Sequence, residues 1–384
     1  MAKGKDQRNH GPAVSAAGSA RAAVERALAE LRRGAAVVLA DETGEGAAAL
    51  VMAAETAGES DEAAALVAAM GTAPACIVPA GRAGALGLDA KGARAVAIRA
   101  AGDRALTLDT GFVLAIAGVE GACPGRDAMV TTPADALQDS AVELVKLARL
   151  LPAALVTRIA GDSAAIAAAH DVLRVTTGAI AEYRLLVDDG PVRLVTSAPV
   201  PLDGAENAEI FAFRPADGGK EHLAIVIGQP ATDRPVLLRI HSECFTGDLL
   251  GSLRCDCGEQ LRGAIQTIAA SGGGILLYLA QEGRGIGLVN KLRAYRLQDA
   301  GFDTIEANER LGFDADERVY RPAATMLRAL GFDAVRLLTN NPAKVDGLAS
   351  CGIAIVERVP HAFPANGHNE RYLRTKAVRA GHLL

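Results

Sequence analysis

The sequence predicts an α/β protein of two domains, each built on a mixed sheet, and three observations support this prediction. First, 384 residues, half of them apolar, are enough for two domains with full hydrophobic cores. Second, short apolar runs typical of buried strands alternate with stretches of helical periodicity. Third, residues 181–235 change to short apolar or alternating segments between Gly, Pro and Asp turns, as expected for an antiparallel or mixed sheet.

Composition and charge restrict the classes of function. A net charge of -5 argues against a nucleic-acid binder that works by overall basicity, although it allows a local basic pocket for a polyanionic small molecule. No uninterrupted apolar run approaches the roughly 18 residues of a membrane span. The first ten residues are polar and do not resemble a signal peptide, and six cysteines do not indicate a disulfide framework. We therefore expect a cytoplasmic protein that binds neither membranes nor nucleic acid.

The first half of the chain combines a polar tail with a domain of alternating helices and strands. Residues 1–20 are rich in Gly, Ala, Ser and charge, which predicts a disordered tail. The first domain is predicted at 21–180. Its predicted elements are helices at 21–33, 47–57, 62–70 and 139–151 and strands at 35–40, 76–79, 95–98 and 112–117.

The second domain is predicted at 181–384. Its strands are recognised as apolar or alternating runs between turns, and its helices by their apolar stripes. The predicted elements are strands at 183–187, 192–195, 210–213, 222–227, 235–241, 273–279 and 335–339 and helices at 259–270, 286–300 and 316–330. The Gly-rich segment 281–287 lies between a strand and a helix, a position that suits a phosphate group, but no P-loop is present.

Residues 239–260 concentrate reactive side chains, including Cys244, Cys255 and Cys257 at a C-x10-C-x-C spacing. Thiolates suit zinc, and three protein ligands leave a fourth position for water, as catalytic zinc sites require. Two alternatives are three buried apolar cysteines and a closed four-thiolate site. Polar neighbours argue against the first, and the distance of Cys351 along the chain argues against the second. The spacing therefore favours an open zinc site after the strand at 235–241.

The motifs of the second half, taken together, resemble those of the GTP cyclohydrolase II family. The segments that carry the resemblance are 239–248, 252–258, 281–288, 303–308, 311–313, 316–318, 337–342, 357–360 and 381–384. The resemblance implies a zinc enzyme that hydrolyses GTP to a diamino-ribosylamino-pyrimidinone 5′-phosphate, formate and pyrophosphate, the first step of riboflavin synthesis. It also implies Mg²⁺ at the phosphates and a homodimer.

This resemblance assigns roles to individual residues. Tyr295 would assist opening of the imidazole ring, Asp316 would accept a proton and Arg318 would act at the α-phosphate. From the residues alone, the apolar stripe favours a core role for Tyr295, and Asp316 serves equally well as a helix cap. The implied GTP-binding residues are Arg239, Ile240, His241, Ser242, Glu243, Gln260, Glu282, Gly283, Arg284, Thr304, Thr339 and Lys344. The histidines predicted to lie at the surface are His361, His368 and His382.

The first half resembles 3,4-dihydroxy-2-butanone 4-phosphate synthase, which is often fused upstream of GTP cyclohydrolase II. The acidic loop that would bind magnesium retains Asp41, Glu42 and Glu45, but its later acidic and basic positions are Ala or Gly. The metal-binding His of that family falls near Ser140, where no His is present. Because a magnesium site without these ligands cannot hold an enediolate, we expect this domain to fold without catalysing the synthase reaction.

Two other functions stay open at this point. One is a related cyclohydrolase that releases a formylated pyrimidine or serves another pathway. The other is a regulatory protein that binds GTP without turnover. A zinc-ribbon module for nucleic acid is disfavoured because paired C-x2-C motifs and a basic surface are missing.

Overall fold

The computed structural model describes residues 16–42, 46–101, 110–118, 129–364 and a few isolated positions outside these ranges. The described residues form two seven-stranded mixed sheets with helices packed on them, which is the predicted two-domain α/β class. Of the predicted tail, 1–15 lie outside the described residues, whereas 16–20 begin a helix. No helix in the described part of the chain combines the length and apolarity needed to cross a bilayer.

The first sheet has the order β5-β4-β3-β6-β2-β1-β7, and only the β1–β7 pair is parallel. Its strands are β1 (Val37–Ala40), β2 (Ala48–Ala53), β3 (Ala75–Pro79), β4 (Ala95–Ala100), β5 (Met129–Pro133), β6 (Ala154–Ile159) and β7 (Arg174–Thr176). Alternate residues of one strand enter different cores, with Val38 on one face and Val37 on the other. Because both faces are covered, the central strands are continuous apolar runs rather than alternating ones.

Seven helices of the described residues accompany this sheet. They are α1 (Ala16–Arg32), α2 (Asp61–Ala69), α3 (Ala80–Ala85), α4 (Thr110–Ala117), α5 (Ala136–Leu147), α6 (Ser163–Ala169) and α7 (Thr177–Asp189). Helix α5 begins with a capping box, in which the Asp135 carboxylate accepts the Gln138 N–H at 3.0 Å. The predicted domain boundary between 180 and 181 falls inside α7.

Three elements predicted within the first 190 residues have the wrong type. The helix predicted at 47–57 is strand β2 followed by a 3₁₀ turn at Ala54–Thr56, and every residue of β2 is buried. The strand predicted at 112–117 lies in α4, and the strand predicted at 183–187 lies in α7. Short runs of Ala, Val and Leu cannot distinguish a strand buried on both faces from a buried helix, which explains these errors.

The second sheet has the order β14-β13-β11-β12-β10-β9-β8. Its strands are β8 (Val192–Pro199), β9 (Ala208–Pro215), β10 (His222–Gly228), β11 (Val236–Ser242), β12 (Gly273–Leu279), β13 (Ala334–Leu338) and β14 (Ala354–Val359). Strands β11 to β14 are parallel, and the other three pair antiparallel. Parallel strands bring their carboxyl ends to one edge, where Cys244, Gln281 and Thr339 follow β11, β12 and β13.

The helices of the second half are α8 (Cys257–Ala270), α9 (Leu288–Asp299), α10 (Thr304–Arg310), α11 (Arg321–Ala329) and α12 (Pro342–Ser350). The helix predicted to start at Asp316 therefore starts five residues later, with Pro322 in its first turn. Proline fits the first turn of a helix because its missing N–H would have no partner there. Residues 314–320 are consequently irregular, and Asp316 is not a helix cap.

The two domains share a hydrophobic core. Ile286, Ala294 and Phe313 of the second domain pack in the same cluster as Val38 and Met52 of the first sheet. Helices α9 and α10, and the segment after α10, thus rest on the first domain.

Candidate active site

Three thiols meet at the edge where β11 ends. Cys244 follows β11, Cys255 lies in the next turn, and Cys257 is the first residue of α8. Their Sγ atoms all lie within 4.8 Å of one another, and the Cys244 and Cys255 sulfurs are 3.7 Å apart. Zn–S bonds of about 2.3 Å in a tetrahedral site put sulfurs about 3.8 Å apart. Among the described residues no further His, Cys, Asp or Glu joins the group, so its donor set fits an open zinc site.

Two glycines let the chain close around the sulfurs. A π-helical turn at Phe245–Leu249 contains Gly247, where a Cβ atom would meet the Cys255 sulfur at 2.8 Å and the Cys244 sulfur at 3.1 Å. A Cβ at Gly258 would meet the Gly247 carbonyl oxygen at 2.4 Å. The turn and α8 can therefore approach this closely only because neither glycine carries a side chain.

The pKa values of the three thiols are shifted in different directions. Hydrogen bonds from Cys255 and Cys257, helped by Lys291, lower the pKa of Cys244 far below its usual value. The hydrogen bond with Cys244 raises the pKa of Cys255 to about 11, and that of Cys257 is also raised. The cluster thus holds one stable thiolate, and a divalent cation would displace the remaining protons on binding.

Lys291 on α9 joins the cluster to the Gly-rich turn. Its Nζ donates hydrogen bonds to Cys244 Sγ at 3.0 Å, Thr246 Oγ1 at 3.1 Å and Glu282 Oε1 at 2.8 Å. Burial lowers the pKa of Lys291, but the Cys244 thiolate and Glu282 outweigh burial, so its pKa is raised. The lysine is therefore a fixed cation beside the sulfurs.

Tyr295 lies one turn further along α9, on the same side as Lys291. Its hydroxyl is 3.4 Å from Thr246 Oγ1, and the Arg254 guanidinium lies 4.7 Å from its ring centroid. The apolar stripe that would make Tyr295 a core residue does not form a buried face, because Leu292 is 48% exposed. The tyrosine instead lines the cavity above the sulfurs.

A buried hydrogen-bond network holds the start of the loop that begins at Cys244. Asp248 Oδ2 accepts the Cys244 N–H and the Tyr278 hydroxyl, each at 3.0 Å. Both carboxylate oxygens of Asp248 lie 3.1 Å from His241 Nε2, and the His241 ring stacks on Tyr278. Partners of this kind orient a ligand residue before a metal binds.

One cavity brings most of the predicted site residues together. The predicted residues that line it are the three cysteines, Tyr295, Arg318, Arg239, His241, Ser242, Glu243, Gln260, Glu282, Gly283, Arg284, Thr304, Thr339 and Lys344. Ile240 and Asp316 do not line it. Ile240 is buried beneath the cavity, where its carbonyl accepts Lys344 Nζ at 2.8 Å. Asp316 binds the cavity residue Arg318.

Several buried polar atoms of the cavity wall have no partner among the described residues. They are Arg239 Nε, His241 Nδ1, Ser242 Oγ and Asn308 Nδ2. Arg239 donates through its other nitrogens to the Leu338 carbonyl at 3.0 Å and to Gln260 Oε1 at 2.5 Å, and burial lowers its pKa to about 10. Buried polar groups normally find partners, so this wall is suited to a polar ligand.

The Gly-rich segment forms a tight turn against the loop that follows Cys244. Gly283 and Arg284 both have left-handed φ values, 64° and 65°, which is strained for Arg284. Glu282 Oε2 accepts the Phe245 N–H at 2.7 Å. The turn thus directs Arg284 along the cavity while it is tied to the loop that follows Cys244.

Asp316 and Arg318 form a pair on the irregular segment before α11. The Asp316 carboxylate accepts Arg318 Nε at 2.8 Å, Nη2 at 2.5 Å and the Arg318 backbone N–H at 3.1 Å. Burial raises the pKa of Asp316, but Arg318 outweighs it, so its pKa is lowered. Asp316 is therefore an ionised carboxylate that holds the guanidinium at the cavity.

The structure adds cavity residues to which the sequence assigned no role. They are Ile286, Lys291, Ala294, Gln298, Asn308, Asn340, Asn341 and His361. The prediction that His361 is a surface residue is wrong: it is 6% exposed, and its Nε2 lies 2.9 Å from the Gln260 carbonyl oxygen. Burial lowers its pKa to about 4. His368 and His382 lie outside the described residues.

Comparison with known proteins agrees with these motifs. A family model described as GTP cyclohydrolase II matches residues 193–360. GTP cyclohydrolase-2 of Azospirillum brasilense is 56% identical over 367 residues, 94% of each chain, and that of Azotobacter vinelandii is 60% identical over 166 residues, 43% of this chain and 80% of its own. Riboflavin biosynthesis protein RibBA of a Synechocystis strain is 46% identical over 257 residues, 64% of this chain and 46% of its own.

An identity of 56% over nearly the whole length establishes the class of protein. The chain is an enzyme, a hydrolase. It belongs to the GTP cyclohydrolase II family, with its family segment in the second domain.

Proposed function

We propose that this enzyme is a zinc-dependent GTP cyclohydrolase II of riboflavin biosynthesis. Its products would be 2,5-diamino-6-ribosylamino-4(3H)-pyrimidinone 5′-phosphate, formate and pyrophosphate. The observation that carries the proposal is the set of three sulfurs within 4.8 Å at one end of a cavity lined by cations and amides. Zinc held by Cys244, Cys255 and Cys257 would supply Lewis-acid activation of water for hydrolysis of the guanine imidazole ring.

Side chains beside the sulfurs suit the purine end of GTP. Burial raises the pKa of Tyr295, so its hydroxyl stays protonated and can donate to a ring nitrogen as the imidazole opens. Lys291 keeps Thr246 and Cys244 in place beneath it. The unpaired donors of Arg239 and Asn308 can bind polar atoms of the nucleotide.

The other cations of the cavity suit the triphosphate. Arg318 and Arg284 carry planar guanidinium groups that match phosphate oxygens, and Mg²⁺ would neutralise the remaining charge. In this proposal Arg318 stabilises charge at the α-phosphate while pyrophosphate leaves. Asp316 becomes a better proton acceptor when Arg318 engages phosphate, since the pairing is what outweighs burial and lowers its pKa.

Product analysis of the full chain tests this function. Incubation with GTP, zinc and magnesium should yield formate, pyrophosphate and the deformylated pyrimidine in equal amounts. A formylated pyrimidine would support a related cyclohydrolase, and binding without turnover would support a regulatory protein; either result would contradict the proposal.

Two cysteine variants test the metal role. Cys255→Ser should abolish formate release and lower the zinc content, because a hydroxyl is a poor replacement for a thiolate ligand. Cys351→Ser is the matched control, since the Cys351 sulfur lies outside the cluster and contacts the Gly347 carbonyl. Full formate release by Cys255→Ser would refute the zinc site.

We also propose that the domain predicted at 21–180 does not catalyse the butanone-phosphate synthase reaction. Ser140, at the position of that family's metal-binding His, donates its hydroxyl to the Ala136 carbonyl. Asp41 accepts a hydrogen bond from Thr177 at 3.3 Å, and Glu45 lies outside the described residues. The full chain incubated with ribulose 5-phosphate and magnesium should show no turnover, and turnover would overturn this proposal.

The proposed setting is a cytoplasmic homodimer that binds neither membrane nor nucleic acid. Free thiolate ligands need a reducing compartment, and a net charge of -5 does not favour nucleic acid. The dimer follows from the family resemblance. Analytical ultracentrifugation with zinc present should give twice the chain mass.

A further inference from the structure

An ion pair with little solvent exposure links the first domain to the segment that carries Asp316 and Arg318. Lys146 near the end of α5 places its Nζ 2.9 Å from Glu317 Oε1, and the two side chains are only 15% and 11% exposed. The same Nζ is 3.5 Å from Asp314 Oδ2. Lys146 thus reaches the residue between the two proposed catalytic side chains from the other domain.

Glu317 holds both the segment that carries Arg318 and the turn that carries Arg284. Its Oε1 also accepts the Asp314 N–H at 2.8 Å, which closes a turn at the start of the irregular segment. Its own N–H donates to the Arg284 carbonyl at 3.0 Å. Gly285 packs on the Glu317 backbone so closely that a Cβ there would lie 2.9 Å from the Glu317 oxygen.

A second interdomain pair holds helix α9. Arg293 Nη2 donates to Glu55 Oε1 at 2.9 Å, and Glu55 Oε2 accepts the Leu151 N–H at 2.7 Å. Arg293 also donates to Asn290 Oδ1 at 2.7 Å. The helix that presents Lys291 and Tyr295 to the sulfurs is therefore also bound to the first domain.

We propose that the first domain is a positioning module for the GTP site, and that Lys146 acts as a positioning residue through Glu317. The proposal rests on the cyclohydrolase function, because it assigns Arg318 and Arg284 to the triphosphate. A carboxylate with little solvent exposure is disfavoured when the cation paired with it is removed, whereas removing both charges costs much less. Loss of Lys146 should thus move the 314–318 segment, and a shift of about 1 Å can lower a rate about a hundredfold.

Steady-state kinetics on the full chain test this role. Lys146→Met should lower kcat between about tenfold and a hundredfold with KM for GTP changed less than about threefold. Lys146→Arg should restore most of the rate, and adding Glu317→Gln to Lys146→Met should recover part of it. Lys91→Met, the same change at an exposed position of the first domain, is the matched control and should leave kcat unchanged. An unchanged kcat in Lys146→Met would overturn the proposal.

Amide hydrogen exchange supplies a measurement that does not depend on turnover. Lys146→Met should speed exchange in residues 282–287 and 313–318 but not in α8, and its zinc content should equal that of the wild type. Faster exchange throughout the second domain would indicate general destabilisation and would overturn a positioning role. If the wild-type enzyme released no formate, the cyclohydrolase function would fail while the exchange pattern would still report the link between the domains.

Discussion

Lys291 is the side chain on which the sulfur cluster, Thr246 and the Gly-rich turn converge. A hydrogen bond from a cation to a ligand sulfur both orients it and stabilises its thiolate form. The sequence hides this role, because a lysine on a helix is usually solvated. Its position relative to Tyr295, one turn along the helix, becomes meaningful only when α9 is seen to pack on the loop after Cys244.

Replacement of this lysine should therefore weaken the proposed zinc site. Lys291→Met removes three hydrogen bonds and leaves Glu282 buried without its cation, so we expect zinc affinity and formate release to fall about 10- to 100-fold. Competition with a chelator measures the affinity. Lys91→Met serves as the control, and an unchanged affinity in Lys291→Met would exclude this role.

Tyr295 should affect one half of the chemistry more than the other. Tyr295→Phe removes the hydroxyl that lies 3.4 Å from Thr246 but keeps the ring beneath Arg254. Loss of a proton donor at the imidazole should slow formate release about a hundredfold or more, with a smaller effect on pyrophosphate release. Tyr183→Phe, on helix α7, is the control. Equal slowing of both products would contradict a role confined to the purine.

At the scale of elements, the π-helical turn after Cys244 is fitted to the sulfurs. Gly247→Ala would place a Cβ 2.8 Å from the Cys255 sulfur, so the turn must move and the three donors must separate. Crowding of this kind costs about 1–3 kcal/mol, and zinc content should fall with it. Gly84→Ala is the control because a Cβ there meets nothing within 4 Å. If the fit were unimportant, metal analysis of Gly247→Ala would show full zinc content and its unfolding temperature would equal that of the wild type.

The sequence alone predicts some elements and site residues of this molecule but not others. The strands at 273–279 and 222–227 and the cysteine cluster were predictable because apolar runs between turns and ligand spacing are local signals. The start of α11 at Arg321 was not, since an acidic residue at 316 and a proline at 322 both mark helix starts. His361 was missed because a loop has no periodicity, and only the fold brings it to Gln260.

For the whole molecule, three buried histidines of the described residues have a lowered pKa and make stability depend on pH: His222, His241 and His361. His222 accepts the Ala280 N–H at its Nδ1, and burial lowers its pKa from 6.5 to about 4; burial also lowers that of His361 to about 4. Between these pKa values the unfolded chain binds more protons than the folded one. The free energy of unfolding therefore falls as pH drops from about 6.5 towards 4, and each histidine with a shift of this size contributes about 3 kcal/mol to the fall.

His222→Gln isolates this effect, because an amide oxygen can still accept the Ala280 N–H but binds no proton. Between pH 7 and pH 4.5, the free energy of unfolding measured in urea should fall by about 2–3 kcal/mol more for the wild type than for this variant. His170→Gln removes a histidine from an exposed position, so its free energy of unfolding should depend on pH as in the wild type. This control shows that removing a histidine does not by itself change acid stability. Since thiol protonation and metal loss act equally on all three proteins, the difference between them reports His222. Parallel acid curves for His222→Gln and the wild type would mean that this histidine does not limit acid stability.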